Sequence, residues 1–187
     1  MLNQALLGKW LWRYATENET LWHKVIQAKY EDQDGGWCSK EVSGPHGVGL
    51  WKHIRRGWDS FAKGVWFEVE EGSKVHFLHD IWCGDQPLKQ AFPSLFIISR
   101  YKDAWVKDNF TWRNGSIEWN VIFVHLVQDW EVDILLSFFA QLYSCKVSHE
   151  NMDRIRWSHS KKGMFDMKLF YKELTKLAYE GFPWKSI

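Results

Sequence analysis

Long apolar runs are missing from this chain. No stretch approaches the roughly 20 consecutive apolar residues that a membrane-spanning helix needs, so no membrane partner is expected. Residues Met1 to Lys9 lack a basic segment followed by an apolar core, so no secretory signal is expected either. Cysteine is scarce: Cys38, Cys83 and Cys145 are odd in number and far apart. That usage predicts a reducing compartment, nucleus or cytoplasm, and no disulfide framework. An excess of one charge is also absent. Lysine and arginine total 24 against 23 aspartates and glutamates, a formal net charge of +1. A basic nucleic-acid footprint over the whole chain is thereby excluded, and any basic patch must be local.

What the chain has in abundance is aromatic surface. Its 187 residues include 14 tryptophans, 12 phenylalanines and 6 tyrosines, enough large rings to fill one core or two small ones and to offer stacking surfaces.

Periodicity predicts a mainly helical α+β fold with two small antiparallel β-hairpins. Apolar positions three and four apart give a first helix over Leu2–Ala15, a second over Glu19–Tyr30 and a third over Leu50–Lys63. Between the last two lies a Gly-rich loop, Glu31 to Gly49, which reads as a connector. It lacks the Gly-Lys-Ser/Thr ending of a phosphate-binding loop. Alternation of Val65, Phe67 and Val69, then Gly72, then Val75 and Phe77 predicts the first hairpin. Pro93 marks the first turn of a short helix reaching Ile98. Ala104 to Val106 reads as an edge strand, and Asn114-Gly115 as a turn. Asn120 to Tyr143 predicts two helices broken near Gln128-Asp129, with Asp129 capping the second and Val132, Leu135, Leu136, Phe139 and Leu142 packing inward. Asp153 to Phe165 reads as the second hairpin, and Met167 to Tyr179 as a closing helix. The expected organisation is 1–63, 64–108 and 109–187.

Several stretches carry a resemblance. They are Asn3-x-Ala5-Leu6-Leu7-x-Lys9-Trp10-x-Trp12-Arg13, Leu21-Trp22, Asp80-x-Trp82-x-Gly84-Asp85, Phe92-Pro93-Ser94-Leu95-Phe96, and Asp153-x-x-x-Trp157 followed by Gly163-x-Phe165. Together, from Asn3 to Trp184, these resemble plant LINE-type (non-LTR) retrotransposon polyproteins, in the segment between the reverse transcriptase domain and the C-terminal zinc-binding region. Where that segment usually has Phe-Ser-Val, this chain has Phe165-Asp166-Met167. The polymerase motif of an aromatic followed by Ala-Asp-Asp, the endonuclease carboxylates and the zinc-binding Cys/His set are all absent. The resemblance therefore implies a non-catalytic piece, with no cofactor, that assists RNA or DNA binding during target-primed reverse transcription beside the remaining polyprotein domains. The alternative is a protein-interaction scaffold, or a translated transposon relic with no activity of its own.

Candidate chemistry is thin. His76, His79 and Cys83, with Cys38 or His46, lack the paired spacing of structural zinc, and a strand would point His76 and His79 to opposite faces. Asp80 and Asp85 are expected to accept backbone amides in a tight loop, and Glu68, Glu70 and Glu71 to form a solvated face. No catalytic residue and no metal ligand is assigned. The strongest binding candidate is the third helix, where Lys52, Arg55 and Arg56 are the expected phosphate contacts, with Trp51 and Trp58 supporting them. A solvated basic surface is the competing explanation.

Overall fold

The computed structural model describes residues 1–41, 49–124, 128, 131–148 and 151–180. In chain order the elements are α1 (Leu2–Thr16), α2 (Leu21–Tyr30), α3 (Gly49–Arg55), α4 (Trp58–Ala62), β1 (Val65–Glu68), α5 (Leu88–Ala91), α6 (Pro93–Ile98), a 3-10 turn (Val106–Asn109), β2 (Phe110–Arg113), β3 (Ser116–Trp119), α7 (Val132–Ser144), β4 (Arg154–Trp157) and α8 (Met167–Glu180). The fold is α+β and mainly helical, with two small two-stranded sheets, as the patterning predicts.

The sheets are not built where alternation places them. One is a true hairpin: β2 and β3 pair antiparallel from Phe110↔Trp119 to Arg113↔Ser116 around Asn114 (φ 50°) and Gly115 (φ 78°). Positive φ at both central residues is the geometry that matches strand twist, which is why Asn-Gly works there. The other joins β1 to β4, strands far apart in sequence. Val75 and Phe77 therefore do not fold back on β1. The Val75 carbonyl accepts from the Val106 amide at 2.9 Å, and the Phe77 amide donates to the Ala104 carbonyl at 2.9 Å. The 153–165 stretch forms one strand, β4, and no second; the Trp157 amide donates to the Gly163 carbonyl at 2.8 Å and closes a turn after it. The expected strand at 104–106 reduces to one bridge, His76 to Trp105.

The helices show similar corrections. The third helix breaks at Gly57, giving α3 and α4. Residues Asn120 to Val124 are irregular rather than helical, with Phe123 bridged to Ser99. The Asp129 cap lies outside the described residues, as does 42–48 of the Gly-rich loop. On α7, Phe138 and Leu142 are buried, whereas Val132 and Leu136 are exposed, so the inward face is rotated from the expected one. The α8 start is capped by Asp166, whose Oδ1 accepts the amides of Lys168 (2.7 Å) and Leu169 (3.1 Å), an N-cap arrangement open to Asp as well as Ser.

The chain divides into two compact units, 1–65 with 155–187, and 66–154. In the first, α1 packs on α3, α4 and α8. Gly8 permits the α1–α8 approach, since a Cβ there would sit 2.8 Å from Phe170. Phe61, Trp157, Phe165 and Phe170 form its core, with ring centroids 4.9 to 5.9 Å apart. In the second unit Phe77, Trp82 and Trp119 cluster at 5.7 to 5.9 Å, and Phe138 meets Phe77 edge-on. A Cys83–Cys145 disulfide spans 62 residues there. This corrects the expectation of unpaired thiols: residues distant in sequence are brought together by α7 packing beside the 77–83 loop, with Gln141 Nε2 donating to the Cys83 carbonyl. Among the described residues, no helix is long and apolar enough to cross a membrane.

Candidate functional site

The site begins with the order imposed on the 31–40 loop. The Gln33 amide donates to the Cys38 carbonyl at 2.9 Å, and the Lys40 amide to the Glu31 carbonyl at 3.0 Å. Gly35 and Gly36, both at positive φ, make the bend between. This half of the expected connector is a hydrogen-bonded turn. The Gly36 amide is used internally, donating to the Gln33 carbonyl at 2.8 Å.

Helix α3 docks on that turn through polar anchors. Arg55 is buried; its Nε donates to the Ser39 carbonyl at 2.6 Å and its Nη2 to Gln33 Oε1 at 2.7 Å. Trp51, also buried, donates its indole N–H to Ser39 Oγ at 2.9 Å and lies 5.1 Å from the Tyr14 ring. Tyr14 in turn donates to Asp32 Oδ1 at 2.5 Å. Burial first, then that bond, raises the Tyr14 phenol well above its ordinary value. Cys38 beside it is pushed up to about 12 by burial, against the pull of Arg55. It is a packed, unreactive thiol.

On the outer side of this anchor the expected phosphate contacts come together. Lys52, Arg55 and Arg56 line one open concavity of about 300 Å³, with Glu41 at its edge. Lys52 is half-buried and Arg56 exposed. Trp58 is half-buried on Phe61, with centroids 5.7 Å apart. Among the described residues that line it, three cations against one carboxylate give a local positive excess in a nearly neutral chain. The larger concavity of the second unit, about 540 Å³, offers Arg100 and Lys102 but also Asp103 and Asp108, a balance that gives anions no advantage.

The histidines of the second unit are closer than a strand would place them, with ring centroids 6.2 Å apart. The His76 amide donates to Asp80 Oδ2 at 2.7 Å, the backbone role expected of Asp80. His79 Nδ1 lies 2.9 Å from Lys89 Nζ. Lysine only donates, so Nδ1 accepts and the imidazole proton sits on Nε2. That atom is 3.1 Å from Asp103 Oδ1, at ion-pair distance but off the line of a hydrogen bond. Burial and then Lys89 lower the His79 pKa, while burial raises that of Asp80. Cys83 is removed from any ligand set by its disulfide. No group of three or more His, Cys, Asp or Glu able to hold a metal occurs among the described residues.

Two features are not foreseen by sequence reasoning. One is the anchoring pair Gln33 and Ser39. The other is an apolar groove of about 410 Å³ lined by Trp10, Leu21, Trp22, Val25, Leu50 and Trp51, with Ile26 and Ile54 beneath. A signal for the groove is present: α2 has four large apolar residues within its first six, more than one buried face needs.

No protein-family profile and no solved structure matches the chain. Across 191 aligned positions it is 25% identical to a plant protein, described as "Putative ribonuclease H protein", from Arabidopsis thaliana. The alignment takes in 93% of this chain and 27% of that protein, so the chain spans about a quarter of the length of this curated relative, to which it is distantly similar.

Proposed function

We propose that the chain is a non-catalytic segment of a plant non-LTR retroelement polyprotein, and that it holds RNA or DNA by its phosphates during target-primed reverse transcription. The observation that carries this reading is the convergence of Lys52, Arg55 and Arg56 on one concavity. The plant ribonuclease H similarity and the motif resemblance support the retroelement origin. Arg55 is committed through two of its donors to Ser39 and Gln33. Its part is to set the floor of the concavity, beside which Arg56 is exposed. Chemistry is left to other domains of the polyprotein.

The test is a salt series with labelled single-stranded RNA and duplex DNA on the full chain. Binding should weaken steeply with salt. In Lys52→Ala plus Arg56→Ala, the slope of log K against log salt on duplex DNA should fall by about 0.9 for each phosphate no longer neutralised. No binding at low salt, or a slope the double variant leaves unchanged, overturns the reading.

A further inference from the structure

Helix α8 turns a row of cations outward. Lys168, Lys172 and Lys176 fall four residues apart and are all exposed, and among the described residues none has an ion-pair or hydrogen-bond partner for its ammonium group. Side chains at that interval form one ridge, in steps of about 6 Å along the helix axis. Core packing sets the orientation. Phe170 and Leu174 are buried on the opposite side, where Phe170 lies against Gly8 of α1. Like charges four residues apart weaken a helix. From Lys161 to Lys176 there are five lysines against two carboxylates, in a chain whose net charge is +1. Both carboxylates are engaged: Asp166 Oδ1 accepts the amides of Lys168 and Leu169, and Glu173 Oε2 faces His159 Nε2 at 3.9 Å.

An open ring stands beside the row. Tyr171 is 40% exposed, three residues from Lys168 and so on the same side of the helix. Among the described residues its ring meets no other ring and no cation, which leaves a face free for stacking. The pairing of free cations with a free ring decides between polyanions. An anionic membrane surface binds a basic helix that also inserts an apolar face, and that of α8 is already buried in the core. An acidic peptide would meet the lysines and leave the ring unused. A single nucleic-acid strand carries both a repeating anion and unpaired base faces.

We propose that the outer face of α8 binds a single nucleic-acid strand, whose successive phosphates follow Lys168, Lys172 and Lys176 while one base stacks on Tyr171. Phosphates and base faces are common to RNA and DNA, so both strands fit. The surface shares no residue with the Lys52–Arg56 concavity. It adds a second contact to that reading without resting on it, and the two can fail independently.

The test uses the full chain with labelled single-stranded RNA and DNA of roughly 20 nucleotides, longer than one such site. Lys168→Gln plus Lys172→Gln plus Lys176→Gln should lower the slope of log K against log salt by about 0.7 for each phosphate no longer neutralised. This variant should melt no lower than wild type, because like charges have been removed. Tyr171→Ala should weaken binding at least about fivefold and leave the slope unchanged, while Tyr171→Phe should bind as wild type does. An unchanged slope in the lysine variant overturns the proposal, whatever Lys52→Ala plus Arg56→Ala does. A slope that responds to the lysine variant alone supports it and removes the concavity reading. No loss in Tyr171→Ala, or a loss that Tyr171→Phe shares, overturns the stacked strand. Equal competition by poly-glutamate overturns it in favour of an acidic polypeptide. Co-sedimentation with phosphatidylserine vesicles that the lysine variant abolishes overturns it in favour of a membrane surface.

Discussion

Asp153 Oδ1 accepts the backbone amide of Gly72 at 2.8 Å. The same carboxylate takes the amides of Glu70 at 2.9 Å and Lys74 at 2.9 Å. One buried side chain thus satisfies three donors of a turn some eighty residues earlier in the sequence. Gly72 is at φ 74°, which points its amide inward with its neighbours'.

Replacing Asp153 by alanine strands three amides, that of Gly72 buried and those of Glu70 and Lys74 part-buried. The expected loss is about 3 kcal/mol of stability, read from the urea midpoint. Asp153→Asn keeps one acceptor oxygen and should lose less. An alanine variant within about 0.5 kcal/mol of wild type would mean the turn stands without its carboxylate.

Arg55 and Arg56 are adjacent, yet one is buried and hydrogen-bonded and the other exposed. Arg55→Ala should cost about 2–3 kcal/mol, because Ser39 and Gln33 are deprived of a charged donor. Arg56→Ala should stay within about 0.5 kcal/mol. Thermal melts of the two single variants decide it, and equal melting would contradict the anchoring role.

The Cys83–Cys145 bridge closes a long loop, so reduction or Cys145→Ser should cost about 2–4 kcal/mol. Cys38 is buried and its thiol is pushed up to about 12, so iodoacetamide should leave the native protein unmodified. Unfolding should expose the single free thiol, and unfolding with reductant all three. Labelling of Cys83 or Cys145 without reductant would show that the bridge does not form.

His79 resists protonation in the folded chain, its pKa lying below the ordinary 6.5. Just below that pH the unfolded chain binds more protons than the folded one, so stability rises with pH across the interval and falls on acidification. Asp80, pushed upward by burial and drawn down by the neighbouring histidines, contributes with the opposite sign. His79→Gln should therefore flatten the acid side of the stability curve measured by urea titration between about pH 5 and 7. An unchanged curve would show that His79 titrates alike in both states.

Local elements are readable in the chain alone. Periodicity locates α1, α2, α6 and α8, Asn114-Gly115 locates the turn of the β2–β3 hairpin, and Pro93 opens α6, since each depends on residues within a few positions of one another. Lys52, Arg55 and Arg56 are likewise legible as a basic cluster, although Arg56 falls in the turn after α3 rather than on the helix. Everything else came from long-range packing. Alternation in Val65–Val69 signals a strand but not its partner, and β4 takes that place while Asp153, one residue before it, claims the amides of the turn. Helical spacing predicts α2, but which of its apolar residues are buried depends on what packs against it, and Leu21 and Val25 stay exposed. Cys83 and Cys145 meet through the packing of α7, which no local pattern encodes. Contacts between distant residues are set by which buried surfaces fit together, and that is a property of the whole folded chain.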